Sequence, residues 1–498
     1  MQRATGAVTA SSLEAATVGE QILRAGGNAV DAAVAVALAS CVVDCCNTGI
    51  GGFGGHLIVS APPQLPACVD FNVWAPLAIS LDSYRRVTLG RSTSVIPNVV
   101  AGLTAALKTF GSMRWADVIA PAIILAEQGF ICGKTLSRAL GDVKDATFVG
   151  ECFEQTTTQQ GLTRLRQPAL ARTLRYLQAD GPQWFYEGPI ASIGSRSLND
   201  RGIEITPADW AEAQNAISIQ PASSLHLDNI GVFSSPLGTS GSICTFATVA
   251  AGRAIASSGQ ESAEIIRQWA QRMAAAWSYR FTSPRGNAIA NDGVVAWIDR
   301  AHAANEASAL APDAGHTCHL NVADASGMLA AATLTHGKLW FGARWALSDT
   351  GVIMNYGGQA MVDAPPVING QRAYGVTNMS PTIIRLGDGA ALAIGSPGAR
   401  RIASIVGLAV ARHVFGGVPL QQALLRGRFH AEARDVATLE PDRLPAATAD
   451  ALRSAFRTVR PERLEDYYGP CTAIRRDSDG ALTLGLDDRW PAFGIIVN

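Results

Sequence analysis

Apolar and polar residues alternate along two short segments in the second half of the chain. Segments 318–323 and 329–335 both show this alternation, which predicts two strands. The residues from Asp324 to Met328 lie between them and fit a hairpin loop of about three residues, with Gly327 in the left-handed conformation. The pattern therefore predicts a β-hairpin here.

The register of this hairpin brings two threonines together. If Asp324 pairs with Met328, antiparallel pairing places Thr317 opposite Thr335, with Cβ atoms roughly 4.5 to 5.5 Å apart. At that separation one hydroxyl can position the other. An ordinary hairpin with threonines at two β-favoured positions is the alternative.

Periodic segments elsewhere predict a mixture of helices and strands. Helical periodicity is found at 12–24, 28–43, 99–110, 115–129, 167–179 and 262–280. Strand-like runs are found at 53–59, 230–234, 382–386 and 391–394. Because the order is mixed and has no fixed βα repeat, it favours a layered α/β fold over a barrel or a doubly wound sheet. The polar segment 281–314 predicts an exposed linker, so Thr317 follows a loop.

The composition favours a large, tightly packed protein with a small-molecule partner. Its 498 residues exceed a typical single core, so one or two closely packed units are expected. The net charge is −1 and no long basic or acidic run is present. Neither nucleic acid nor an anionic membrane surface is therefore expected as a partner.

Targeting signals and metal motifs are not recognisable in the sequence. The N-terminal residues lack the pattern of a signal peptide, and the longest apolar stretch, 32–43, is short for a membrane span. A cytoplasmic protein is expected. Nine cysteines are scattered, and the cluster of Cys41, Cys45 and Cys46 has no second ligand pair at zinc spacing. Neither disulfides nor a metal or other cofactor are predicted.

The position of Thr317 after a loop suggests a specific chemistry. If the bond between His316 and Thr317 were cut, Thr317 would carry a free α-amine beside its own hydroxyl. An α-amine has a pKa near 8, so it can act as general base for that hydroxyl, while Thr335 orients it. In the segment 395–402, the backbone N–H groups of Gly398 and Ala399 can form an oxyanion hole. A plain strand-to-helix turn is the alternative for that segment.

Several blocks of the chain resemble the gamma-glutamyltransferase family. The stretch GEQILRAGGNAVDAAVAVALASCVVDCCNTGIGGFGG at 19–55 looks like the family's N-terminal hallmark. Further similar blocks follow in family order at 96–130, 166–191, 202–214, 378–384, 395–402 and 419–430. The resemblance spans nearly the whole chain and implies an N-terminal-nucleophile hydrolase with a four-layer αββα sandwich.

The resemblance also implies roles for individual residues. Thr317 opens the segment that matches the family's Thr-x-His-x-x-Val and is the implied nucleophile, and Thr335 matches the second family threonine. Gly398 and Ala399 match the paired glycines of the family's oxyanion turn. Self-cleavage would give a large fragment of residues 1–316 and a small fragment of residues 317–498, which together form one heterodimeric αββα unit.

The substrate end departs from the family pattern. Asn72 stands where the family's carboxylate-binding arginine is expected, and Gln359, in the segment that begins with Asn355, stands in place of an acidic residue. Thr377 and Asn378 replace a Ser-Ser pair. An asparagine cannot give the bidentate, charged grip of a guanidinium. These substitutions favour a substrate other than an ordinary gamma-glutamyl compound.

Other residues near the implied site can contribute to recognition. His336 and the arginines Arg344, Arg400 and Arg401 can bind an anionic head group, although a structural role is the alternative for each. The missing arginine motif also resembles the oxamate amidohydrolase branch of the family. Three hypotheses follow: a self-processing threonine amidohydrolase acting on a small amide, a gamma-glutamyltransferase with rearranged carboxylate recognition, and a silent, uncleaved relative that acts as a binding protein.

Overall fold

The structure is a computed structural model of the chain. It describes residues 4–76, 94–258, 261–282, 316–358, 360, 367–369, 372–433, 435–462 and 467–498. The strands are β1 Gly6–Ala10, β2 Gly54–Ser60, β3 Ala67–Phe71, β4 Trp74–Pro76, β5 Phe130–Ile131, β6 Glu154–Thr157, β7 Thr163–Arg166, β8 Ser218–Pro221, β9 Ser223–Leu227, β10 Ile230–Ser234, β11 His316–Asp324, β12 Leu329–Gly337, β13 Val367–Asn369, β14 Arg372–Tyr374, β15 Thr382–Arg385, β16 Ala391–Gly395, β17 Phe429–Ala433, β18 Val436–Leu439, β19 Thr458–Pro461, β20 Thr472–Arg476, β21 Leu482–Leu486 and β22 Phe493–Val497.

The helices occupy both halves of the chain. They are α1 Leu13–Arg24, α2 Ala29–Val43, α3 Val99–Phe110, α4 Trp115–Gln128, α5 Lys134–Asp142, α6 Ala146–Cys152, α7 Pro168–Asp180, α8 Gln183–Tyr186, α9 Pro189–Asn199, α10 Pro207–Ala211, α11 Ser242–Gly252, α12 Ala254–Ser258, α13 Ala263–Thr282, α14 Ile402–Val410, α15 Leu420–Leu425 and α16 Ala446–Ala455. The predicted linker 281–314 lies almost wholly outside the described residues.

Two antiparallel sheets form the centre of the fold. In the described residues, the first sheet has the strand order β22-β1-β11-β12-β2-β3-β8, and the second has the order β21-β20-β16-β15-β10-β9. The central strands of the first sheet come from opposite ends of the chain, because β1 pairs with both β11 and β22. Each sheet therefore combines strands from before and after residue 316.

Side-chain alternation produces the layers. Leu320 and Val322 of β11 belong to the core formed with helices α1 and α2, whereas Ala323 belongs to a separate core between the two sheets. That inner core also contains Ile383 and Ala393 of the second sheet. The outer face of the second sheet packs against α11 and α14. The order helix, sheet, sheet, helix confirms the predicted αββα sandwich.

Helix α2 shows why the N-terminal block of the chain is so rich in alanine. Every residue from Ala29 to Val43 is buried, and a helix that is apolar on all sides belongs inside the protein. Its N-terminus has a capping box, in which Asn28 accepts from the Asp31 amide and Asp31 accepts from the Asn28 amide. The prediction of a buried helix capped at Asn28 is confirmed.

The hairpin agrees with its prediction except at the functional end. Residue pairs from Cys318–Leu334 to Ala323–Leu329 keep the predicted register. Gly327 has φ 90°, as the loop requires. The register shifts between His316 and Cys318, so Thr317 faces a β-bulge and does not form a regular pair with Thr335. The direct pairing was therefore wrong, because β12 has one extra residue at this point.

The described residues contain no candidate membrane span, no cluster of metal ligands and no disulfide. None of the helices there is long and apolar enough to span a membrane. In the same part of the chain, no group of three or more His, Cys, Asp or Glu residues could hold a metal ion. All nine cysteines are described and all are free thiols.

Candidate active site

The inner face of β11 and β12 changes from apolar to polar towards Thr317. His319 lies between Thr333 and Asn321, with its ring nitrogens 2.9 Å from Thr333 Oγ1 and 3.1 Å from Asn321 Oδ1. Burial lowers the pKa of His319 to about 4, so the imidazole is neutral at pH 7. This fully buried network forms a rigid floor one layer below Thr317, which lies on the same face of β11.

Thr335 makes the most informative contact of the site. Its Oγ1 donates to the carbonyl oxygen of His316 at 2.6 Å and accepts from the Gly337 amide at 2.7 Å. The direction is unambiguous, because an amide can only donate and a carbonyl can only accept. The Thr335 hydroxyl thus polarises the peptide bond between His316 and Thr317, and the bulge places it there.

A tight turn after β16 contributes Gly398 and Ala399 to the surroundings of Thr317. Gly398 has φ 132°, and Ala399 has φ 52° in the left-handed region. A side chain in that region costs about 1 to 2 kcal/mol, so the turn is held by its surroundings. One support is Gly469, where an added Cβ would lie 2.2 Å from the Pro397 carbonyl oxygen. The turn is therefore held in place, and its residues line the same cavities as Thr317.

Thr317 lies at the boundary between two cavities. The smaller, of about 100 Å³, is lined by both site threonines, Thr377, Asn378 and Ala399. The larger, of about 330 Å³, is lined by His316, Thr317, Gly398 and several aromatic residues. Thr317 itself is 7% exposed. A hydroxyl between two cavities and beside a backbone turn can attack a carbonyl that enters from either side.

Sequence and structure comparisons decide the family. The family model described as gamma-glutamyltranspeptidase matches residues 15–494. The chain belongs to the gamma-glutamyltranspeptidase family. It is 28% identical over 481 residues to a glutathione hydrolase proenzyme from Pseudomonas sp. strain A14, covering 85% of this chain and 81% of the relative. It is also 28% identical to the acylase ACY 1 proenzyme from Pseudomonas sp. strain SE83, covering 96% and 91%.

A solved structure supports the fold. The cephalosporin acylase from Bacillus halodurans superposes with a TM-score of 0.79 at 18% identity, covering 99% of this chain and 96% of that one. The fold is thus that of the N-terminal-nucleophile hydrolases, as the resemblance implied. These two relatives of this gamma-glutamyltranspeptidase family member are named a glutathione hydrolase and an acylase, and both names contain the word proenzyme.

Two asparagines of the predicted substrate site are bonded to backbone within this family fold. Asn355 is fully buried, accepts from the amides of Val95 and Gly357, and donates to the carbonyls of Gly51 and Val95. Asn72 donates to the Gly375 carbonyl at 2.9 Å. Neither is among the described residues that line the two cavities. Their role in substrate binding stays a prediction, and their contacts are structural.

Four further predicted recognition residues, His336, Arg344, Arg400 and Arg401, are not among the described residues that line either cavity. His336 is fully buried, and burial lowers its pKa to about 3. Arg400 pairs with Glu432 at 2.9 Å, and Arg401 donates to the Tyr467 carbonyl. Gln359 lies outside the described residues. Arg344 donates to the Trp340 carbonyl at 3.4 Å.

The structure adds residues that the sequence reasoning did not single out. Lys338 and Tyr356 line the smaller cavity. Behind its wall, His56 Nε2 lies 3.5 Å from Thr377 Oγ1, and His56 Nδ1 lies 3.1 Å from Asp70 Oδ1. The position of Lys338 three residues after Thr335 is a signal that could have been used. His56 carries no such signal, because β2 is buried along its whole length.

Proposed function

We propose that this protein is a self-processing N-terminal threonine amidohydrolase with acyltransferase capacity. The observation that carries the proposal is the 2.6 Å hydrogen bond from Thr335 Oγ1 to the His316 carbonyl, next to Thr317. A donor on that oxygen stabilises the negative charge that develops when a nucleophile attacks the carbonyl carbon. The proposed chemistry uses only groups of the chain and water.

The proposed maturation proceeds in two steps. Thr317 Oγ1 attacks the His316 carbonyl carbon, a C–O bond forms, the C–N bond breaks, and the nitrogen takes the hydroxyl proton. Water then hydrolyses the ester, which leaves His316 as a carboxylate and Thr317 with a free amine and hydroxyl. The amine next serves as general base when the same hydroxyl attacks a substrate amide and forms an acyl-enzyme.

The strand order supports a stable pair of fragments after cleavage. Residues 1–316 would keep β1 and β2, whereas residues 317–498 would keep most of β11 and all of β12 and β22. Since β1 lies between β22 and β11, and β12 pairs with β2, the fragments cannot separate without breaking the central ladder. The proposed product is therefore an intimate heterodimer.

The size and lining of the smaller cavity support a proposal for the substrate class. It has about 100 Å³ of space and is lined by Thr377, Asn378 and Lys338 among other residues. A space of this size admits only a short acyl chain. Lys338 favours an acyl group that carries a carboxylate. A short dicarboxylate monoamide fits these features.

Maturation is tested by denaturing gel electrophoresis and N-terminal sequencing of the purified protein. We expect a smaller fragment that begins at Thr317, none from Thr317→Ala, and slower formation from Thr317→Ser. Wild-type protein that stays whole and still hydrolyses an amide would contradict the mechanism.

Substrate class is tested by ammonia release from primary amides. Succinamic acid should be hydrolysed with a lower KM than butyramide. Lys338→Met should raise the KM for succinamic acid at least tenfold and change the KM for butyramide little. Equal KM values for the two amides would show that Lys338 does not bind the substrate carboxylate.

A glutathione hydrolase is the second candidate function. It is favoured by the similarity to the Pseudomonas glutathione hydrolase proenzyme along 85% of this chain. This function predicts release of glutamate from glutathione by the cleaved protein. If millimolar glutathione yields no glutamate while succinamic acid is hydrolysed, the candidate is excluded.

A further inference from the structure

The two cavities that meet at Thr317 differ in size. The smaller is lined by Lys338, Thr377 and Asn378 beside apolar residues such as Met379 and Ile402. The larger, about 330 Å³, is lined by Trp340, Tyr468, Trp490 and Phe493. It is about three times as large as the smaller cavity. A substrate that spans Thr317 would place one half in each cavity.

The position of His316 decides which half lies where. His316 lines the larger cavity but is not among the described residues that line the smaller one. Cleavage before Thr317 would expose the new α-amine where the bond to His316 had been, and therefore on the side of the larger cavity. In the proposed mechanism this amine takes the proton of the hydroxyl and returns it to the leaving nitrogen. The leaving nitrogen must lie within reach of the amine.

We propose that the larger cavity binds the leaving amine of the substrate, and that this amine carries an aromatic group. The acyl half then occupies the smaller cavity. This inference rests on the proposed function and adds to it the identity of the second half of the substrate. When acyl transfer occurs in reverse, the same cavity receives an aromatic amine as the acyl acceptor.

A contact within the uncleaved chain indicates how an aromatic ring would bind. The imidazole of His316 lies against Trp340, with ring centroids 4.8 Å apart and an interplanar angle of 40°. Burial lowers the pKa of His316 to about 3, so this is a contact between two neutral rings at pH 7. After cleavage His316 becomes a free chain end, and its place on Trp340 can be taken by a ligand ring.

The wall around this position is held in place. The Arg138 guanidinium lies 5.5 Å from the centroid of Trp340 and 5.9 Å from that of Trp490, within the range of cation–π attraction. One cation thus contacts both tryptophans. A planar ligand would enter a preformed aromatic site, which lowers the entropic cost of binding.

Binding of aniline and methylamine to the cleaved protein tests the proposal by isothermal titration calorimetry. Aniline is neutral at pH 7 whereas methylamine is a cation, so the Trp490 variants isolate the contribution of the ring contact. We expect aniline to bind at least tenfold more tightly than methylamine. Trp490→Ala should weaken the binding of aniline at least fivefold, and Trp490→Phe should keep most of the wild-type affinity.

A matched control separates this site from a general loss of stability. Trp184 stacks on Tyr176 with ring centroids 4.8 Å apart and is not among the described residues of either cavity, so Trp184→Ala should bind aniline as wild type does. Equal affinity for aniline and methylamine, or unchanged aniline binding by Trp490→Ala, would overturn the proposal. The proposal would also be overturned if Thr377→Val lost aniline binding while Trp490→Ala kept it, because aniline would then bind in the smaller cavity.

The same protein preparations distinguish a failure of the leaving-amine proposal from a failure of the proposed amidohydrolase function. Cleavage is read on a gel, and ammonia release from succinamic acid needs no aromatic amine. If both persist but aniline does not bind, the leaving-group assignment fails and the amidohydrolase stands. If the chain stays whole and succinamic acid is not hydrolysed, the proposed function fails.

Discussion

Replacement of Thr335 by valine removes the hydroxyl that bonds the His316 carbonyl while keeping the shape of the side chain. In the uncleaved chain a neutral hydrogen bond of this kind contributes about 0.5 to 1.5 kcal/mol. As the carbonyl oxygen becomes an oxyanion, the same donor becomes charge-assisted, and loss of one oxyanion donor costs roughly 10²- to 10³-fold in rate. Thr335→Val should therefore slow self-cleavage by about that factor.

The same substitution has a separate effect on stability. Thr335 Oγ1 accepts from the Gly337 amide at 2.7 Å. A buried amide left without a partner costs about 1 to 3 kcal/mol, and this partly buried one should cost no more than the lower end of that range. Thr335→Ser keeps both hydrogen bonds and should cleave at close to the wild-type rate.

The measurement follows fragment formation by intact mass over time after rapid purification. Urea unfolding of Thr317→Ala and of the double variant Thr317→Ala, Thr335→Val measures how much Thr335→Val lowers the free energy of unfolding. Neither variant is expected to cleave itself, so cleavage does not interfere. If Thr335→Val matured as fast as wild type while its unfolding free energy fell as expected, the hydroxyl would be structural and the reasoning refuted.

Three further predictions concern stability and pH. Asn355→Leu should lower the unfolding free energy by at least about 3 kcal/mol in urea titrations, since four buried backbone bonds lose their partner. Burial raises the pKa of Asp44 from 3.8 to about 6, so its folded form binds a proton more tightly than the unfolded chain. Wild-type stability should therefore fall relative to Asp44→Asn as the pH rises from about 4 to 6, by about 3 kcal/mol at 1.36 kcal/mol per pKa unit; parallel pH curves would contradict this. Ala399→Gly should keep stability within about 1 kcal/mol, because strain relief of about 1 to 2 kcal/mol offsets greater freedom of the unfolded chain, whereas Ala399→Val should lose hydrolysis, as assayed by ammonia release.

The larger elements could be predicted because their patterns are strong. Helices α1 and α2 and the hairpin of β11 and β12 follow from periodicity, capping residues and turn chemistry. Strands β1 and β22 were not predicted. Each has only five residues, and they come together from opposite ends of the chain. Local pattern cannot indicate such pairing, because its energy comes from partners distant in sequence.

The sequence by itself determined the family, the layered fold and the pair of threonines around one turn. Only the tertiary structure decided what surrounds them. It placed the Thr335 hydroxyl on the His316 carbonyl, because a bulge of one residue shifts the register. It also turned Asn355 inward to bond backbone groups and brought Lys338 to a cavity wall. Residue type limits which hydrogen bonds a side chain can form, but the packing of distant segments determines which partners lie within reach.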